Sequence, residues 1–241
     1  MVRLGSSCEL AESAVRRQAM AASGQDGQVQ APNVLVVEHP CVADRLALVR
    51  DAATDAAVFR QRLGEIAALV AYEALHDLAT RERLVSTPVA SYASCRVLAE
   101  TVLFVPVLRA GLGMVDALLT LVARSEVAHV GIRRDPETLR PEVYLDSLPS
   151  NLAHRRVVVC HPVIATGGSV SEVCTMLEAR SAPSPIVLSI IASRPGLAAF
   201  HERHPKVLVA CAAVDPELDE RGFVVPGLGD PGDRLFGPPP R

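Results

Sequence analysis

Residues 157–172 read VVVCHPVIATGGSVSE, and their order decides how the rest of the chain is read. A β-branched apolar run ends at His161 and Pro162. Small residues follow at Ala165, Thr166, Gly167, Gly168 and Ser169, and an amphipathic stretch begins at Val170. The pattern predicts a buried strand, a tight loop and a helix. Small side chains let successive backbone N–H groups converge on one point. The helix adds its unpaired N–H groups and positive dipole end, worth roughly 0.3–1 kcal/mol to an anion even at an exposed site. The loop is a candidate phosphate cradle, with the hydroxyls of Thr166 and Ser169 as further donors. On its own it is equally an ordinary turn with Ser169 as helix N-cap. There is no G-x-x-x-x-G-K-[ST], and no G-x-G-x-x-G opens a helix after this strand. A P-loop triphosphatase and a dinucleotide fold are therefore disfavoured.

Outward from this unit the alternation repeats. NVLVVEHP (33–40), TVLFVPVL (101–108), EVAHVGI (126–132), RRVVVC (155–160), PIVLSIIAS (185–193) and KVLVACAAV (206–214) read as strands. VADRLALVRD (42–51), AAVFRQRLGEIAALVAYEALHDL (56–78), LGMVDALLTLVARS (112–125), SVSEVCTMLEAR (169–180) and PGLAAFHERH (195–204) carry apolar residues at helical spacing. TPVASYASCRVLAE (87–100) reads as a loop or hairpin, RRDPETLRPEVYLDSLPSN (133–151) as a long polar loop, and the tail as turns. The expected class is α/β, a parallel sheet flanked by helices with right-handed crossovers. Residues 1–32 lack apolar periodicity and are expected to be a disordered extension, leaving 33–241 as one domain.

Composition removes several classes. A formal net charge of −3 in 241 residues argues against a general nucleic-acid binder, and 3% aromatic residues without Trp argue against a base-stacking platform. No apolar stretch reaches the ~18 residues of a membrane span, and no secretory or lipidation signal is legible, so the cytoplasm is expected. The six cysteines are scattered without metal-ligand spacing, which suits reduced, mostly buried thiols.

Three further constellations bear on chemistry. Arg109 follows the buried strand 101–108 among small residues, at the end of a strand where open parallel sheets bind ligands. Such an Arg loses solvation unless it meets an anion or a core carboxylate. Arg133 and Arg134 end another strand, at the start of the polar loop, in the manner of a lid. GFVVPGLGDPGDRLFG (222–237) sets Asp230 and Asp233 to hold Mg²⁺ or to shape a turn, and its stiff backbone suits a planar polar ligand.

Taken in order and spacing, VPVLRAGLGM (105–114), HPVIATGGS (161–169) and GFVVPGLGDPGDRLFG resemble uracil phosphoribosyltransferase. The resemblance spans about residues 33–238. It implies a type I phosphoribosyltransferase core with a flexible hood loop, converting uracil and 5-phosphoribosyl 1-pyrophosphate (PRPP) to UMP and pyrophosphate with Mg²⁺, in pyrimidine salvage. By position, the ribosyl donor would lie along His161, Pro162, Val163, Ile164, Ala165, Thr166, Gly167, Gly168 and Ser169, its 5′-phosphate on Ala165–Ser169. Arg109 and Arg134 would meet its pyrophosphate, and Asp230 would help hold donor and metal. Uracil would lie against Val224, Gly229, Asp230 and Pro231. The resemblance also implies a homodimer or homotetramer, and admits GTP as an activator. Two residues depart from the family pattern: His161 stands where an acidic residue is usual, and Pro231 where a backbone N–H is usual. These departures keep a second reading open, a catalytically weak relative that senses nucleotide or uracil.

Overall fold

The apolar runs become one sheet because each sends alternate side chains into two helical layers. The computed structural model describes residues 33–134 and 141–238, without the side chains of Arg134 and Pro141. Its first half runs β1 (Val34–Val36), α1 (Pro40–Arg50), α2 (Ala56–Ala74), β2 (Thr80–Val85), β3 (Ala93–Leu98), β4 (Val102–Leu108), α3 (Leu112–Leu121), β5 (Ser125–Val127), β6 (Val130–Arg134) and β7 (Pro141–Asp146). The second half runs β8 (Arg156–Cys160), β9 (Val163–Ile164), α4 (Gly168–Glu178), β10 (Ile186–Leu188), β11 (Ile191–Ser193), α5 (Arg194–Arg203), β12 (Leu208–Cys211), β13 (Ala213–Asp215), β14 (Glu217–Leu218), β15 (Val224–Val225) and α6 (Pro231–Phe236). The described residues all belong to one compact unit.

Among the described residues, eight strands form the main sheet in the order β1-β12-β10-β8-β4-β6-β7, with β5 beside β4. Every pairing in it is parallel except β6–β7. Phe104, Val158, Cys160, Leu188 and Ala210 pack with α1, α2 and α3 on one face. Leu103, Val105, Val157, Val159, Val187 and Val209 pack with α4 and α5 on the other. Strands buried on both faces must read as continuous apolar runs, and these do. The architecture is the expected helix-flanked α/β sheet.

The structure corrects the sequence reading at several points. PIVLSIIAS and KVLVACAAV are not single strands. Each breaks, into β10 with β11 and into β12 with β13, and β9, β11 and β13 re-pair as a separate three-stranded parallel sheet. Pro162, between β8 and β9, has no N–H to extend a ladder, and its carbonyl accepts from Ile190 and Ile191 at 2.9 and 3.1 Å instead. EVAHVGI likewise divides into β5 and β6.

The polar segment 133–151 is not wholly loop, because β7 pairs antiparallel with β6. Its alternation of Val143 and Leu145 with polar neighbours is an edge-strand signal that the prolines mask. Residues 135–140, the tip of the expected hood, lie outside the described residues, as does the expected extension 1–32. The hairpin expected in 87–100 exists, but its first strand is the charged TRERLV of β2, which the sequence reading passed over. The tail holds a helix, α6, with Asp230 as N-cap and Pro231 in its first turn.

No described helix is long and apolar enough to cross a membrane. Of the described cysteines, Cys160, Cys174 and Cys211 are buried and Cys41 and Cys95 are exposed, all as free thiols. Burial pushes the Cys174 and Cys211 thiols up to about 12.

Candidate functional site

The break in the sheet has a consequence for geometry. β8 stops at Cys160, the chain steps through His161 and Pro162, and β9 delivers the loop Ala165–Gly167 to the first turn of α4. The N-cap of α4 is Gly167 at φ 79°, not Ser169, which sits inside the helix. That left-handed turn suits glycine, and a Cβ there would stand 2.6 Å from the Gly196 carbonyl. The loop rests on the start of α5. Ser193 donates its hydroxyl to the Ala165 carbonyl at 2.5 Å and accepts the Gly196 N–H at 2.9 Å. A Cβ on Gly196 would lie 1.9 Å from that same carbonyl. The sequence reading missed Ser193, although Ser-Arg-Pro-Gly is a legible N-cap with proline in the first turn.

A cavity of about 420 Å³ opens beside this loop. The end of β4 and the residues after it, Leu108–Ala110, form one wall, His161, Val163 and Ala165 a second, and Arg221–Val224 with Gly229–Gly232 a third. A smaller recess of about 90 Å³ continues along Thr166–Val170, and His161, Val163 and Ala165 line both. The predicted residues Arg109, His161, Val163, Ala165, Val224, Gly229, Asp230 and Pro231 thus share one cavity. Ile164, Thr166, Gly167, Gly168 and Ser169 line the recess that joins it. Pro162, although predicted with them, lines neither and is buried behind. The side chain of Arg134 lies outside the described residues. Arg221 and Gly222 were not predicted; they lie in a stretch whose spacing signals only a turn.

Charge at the rim is balanced. Arg109 pairs with Asp233 at 3.2 Å, with side chains 43% and 46% exposed. An exposed pair of this kind is worth about 0–1 kcal/mol, so an anion of higher charge can draw Arg109 away. Asp230 accepts the Asp233 N–H at 3.0 Å and so opens α6. Pro231 is in the first turn, where a helix leaves N–H groups unpaired, so the missing donor does not weaken the helix.

His161 is the odd member. Its Nδ1 is shut from solvent with no hydrogen-bond partner among the described residues. Burial pushes the imidazole down to about 4, against a smaller opposing pull from the backbone of Val163 and of His161 itself. The ring is therefore neutral at ordinary pH, able to donate one hydrogen bond and accept one.

Asp230 and Asp233 are hard oxygen donors suited to Mg²⁺. No group of three or more metal-ligating side chains stands together among the described residues. These carboxylates fit an ion shared with substrate phosphates better than a cage of protein ligands.

Comparison with known proteins gives the family. Residues 36–238 match the family model described as UPRTase, uracil phosphoribosyltransferase. The uracil phosphoribosyltransferase of Caldanaerobacter subterraneus subsp. tengcongensis is 46% identical over 206 residues, covering 85% of this chain and 98% of that protein. That of Halalkalibacterium halodurans is 43% identical over 204 residues, with the same coverage of each. Among solved structures, the AQ2163 protein from Aquifex aeolicus superposes with a TM-score of 0.79 at 32% identity, over 85% of this chain and 98% of that one. By its motifs, its fold and these relatives, the chain belongs to the uracil phosphoribosyltransferase family.

Proposed function

We propose that the chain transfers the 5-phosphoribosyl group of PRPP to uracil, making UMP and pyrophosphate. The observation that carries this reading is a cavity with a backbone-rich wall at Val224 and Gly229–Pro231 and, beside it, a recess along the anion cradle at Ala165–Ser169, with His161, Val163 and Ala165 lining both. The recess suits a phosphate and the wall a small planar amide, with room for a sugar at His161 between them.

Each residue has a task in this reading. The loop N–H groups and the start of α4 hold the 5′-phosphate. Arg109 turns from Asp233 to the pyrophosphate, and Arg134 joins it from the end of β6. Neutral His161 takes a ribose hydroxyl. Asp230 holds the donor and, through it, Mg²⁺. Uracil N1 bonds to the anomeric carbon as the bond to pyrophosphate breaks; the electron pair leaves with pyrophosphate, and the N1 proton passes to water or to the departing pyrophosphate. Positive charge develops on the sugar and negative charge on the leaving group. Fixed cations near that group favour the transition state over the bound substrates. Bound Mg²⁺ supplies further neutralisation of the pyrophosphate.

The reading takes residues 33–241 as the phosphoribosyltransferase domain and the cytoplasm as its compartment, in pyrimidine salvage, as a homodimer or homotetramer. Purified protein with PRPP, Mg²⁺ and labelled uracil should yield UMP and pyrophosphate, whereas orotate, cytosine and hypoxanthine should not react. GTP added to the same assay tests activation. No turnover with any base, in protein that still binds UMP, would overturn the reading and leave a nucleotide-binding protein.

A further inference from the structure

The wall that faces the base is held from behind by two arginines, Arg50 far from it in sequence and Arg234 in the helix that follows it. Arg50, the last residue of α1, forks onto Asp215 at 2.8 and 2.6 Å, and the same guanidinium donates to the Gly227 carbonyl at 2.8 Å. Asp215, at the end of β13, accepts the Gly227 N–H at 3.0 Å. One ion pair therefore saturates both backbone groups of Gly227. That residue holds φ 64°, and a Cβ on it would stand 2.0 Å from the Val224 carbonyl. Arg234 of α6 donates to the next carbonyl, Leu228, at 2.9 Å and to Asp51 at 2.6 Å, and also reaches the Val49 carbonyl. Its guanidinium lies 4.1 Å from the centre of the Phe59 ring. Residues 49–51 are thus the foundation on which Gly227 and Leu228 stand.

We propose that the Arg50–Asp215 pair is a positioning device for the base end of the cavity: it fixes Gly227, and so sets where Gly229 and Pro231 face the base. The proposal rests on the reading above that this wall meets the base. None of these bonds touches the anion loop, which Ser193 and Gly196 hold separately. The two ends of one substrate site are therefore anchored by different residues, and each anchor should report on its own ligand. Bidentate geometry matters here. A lysine at position 50 keeps the charge facing Asp215 but cannot fork onto it and reach Gly227 as well.

The test uses the full chain with four variants, Arg50→Lys, Arg50→Ala, Asp215→Asn and Ser193→Ala, and varies uracil and PRPP separately. Arg50→Ala should raise the KM for uracil about tenfold and that for PRPP less than about twofold, with Arg50→Lys between it and wild type. Ser193→Ala should show the opposite split. Where Arg50→Ala fails to fold, Arg50→Lys and Asp215→Asn carry the comparison. Equal rises in both KM values, or a lower Tm with unchanged kinetics, would overturn the proposal by making the pair merely structural. If wild type makes no UMP, the catalytic reading fails instead. Calorimetry then decides: the pair is a positioning device if Arg50→Lys weakens UMP but not pyrophosphate, and is not one if both weaken alike.

Discussion

His161 carries a ring nitrogen that water does not reach and no described neighbour satisfies. A free histidine titrates near 6.5, whereas burial takes this one to about 4. Between those values the unfolded chain binds a proton that the folded chain refuses. The stability from this group is whole above about pH 6.5, falls as pH drops toward 4, and levels off below. The effect is on the order of 2 kcal/mol. Urea unfolding at about pH 7.5 and about pH 5 should show wild type losing more stability than His161→Asn, which keeps a polar group of similar reach that does not titrate. Equal losses in the two proteins would remove His161 as the cause. For the same reason kcat/KM should show no inflection from His161 near pH 6.5.

At the level of elements, the loop Ala165–Gly167 is one joint between β9, α4 and α5. Each contributes something the others cannot. β9 sets its height, α4 brings the unpaired N–H groups, and Ser193 at the cap of α5 takes the Ala165 carbonyl. Gly167→Ala disturbs all three, because φ 79° strains an L side chain by roughly 1–2 kcal/mol and its Cβ meets the Gly196 carbonyl at 2.6 Å. The expected result is a raised KM for PRPP and a lower Tm, with the KM for uracil little changed. An unaltered KM for PRPP would mean that the loop does not hold the phosphate. The β6–β7 arm teaches a different lesson. Its strand pairing was hidden in a segment whose prolines and charges read as loop, because an edge strand needs apolar residues on only one face.

For the molecule as a whole, the family match begins at residue 36 and the bacterial relatives are covered over 98% of their length by 85% of this chain. Deleting residues 1–32 should leave both KM values and kcat within about twofold of the full chain. A larger loss would give that segment a part in the site. The sequence by itself determined the α/β class, because strands buried on both faces must be continuous apolar runs, as 101–108 and 157–160 are. It also marked much of the lining of the cavity and its recess: Arg109, the small-residue loop at 165–169 and the 222–237 tail are local patterns legible residue by residue, whereas Arg221 carried no such signal. Tertiary structure decided what those patterns do together. The second sheet of β9, β11 and β13, the pairing of Arg109 with Asp233, and the grip of Arg50 on Asp215 and Gly227 join residues more than a hundred positions apart, or depend on strands breaking at one level. Periodicity reports how one segment meets a core. It does not report which distant carboxylate or carbonyl a side chain finds once the core has closed.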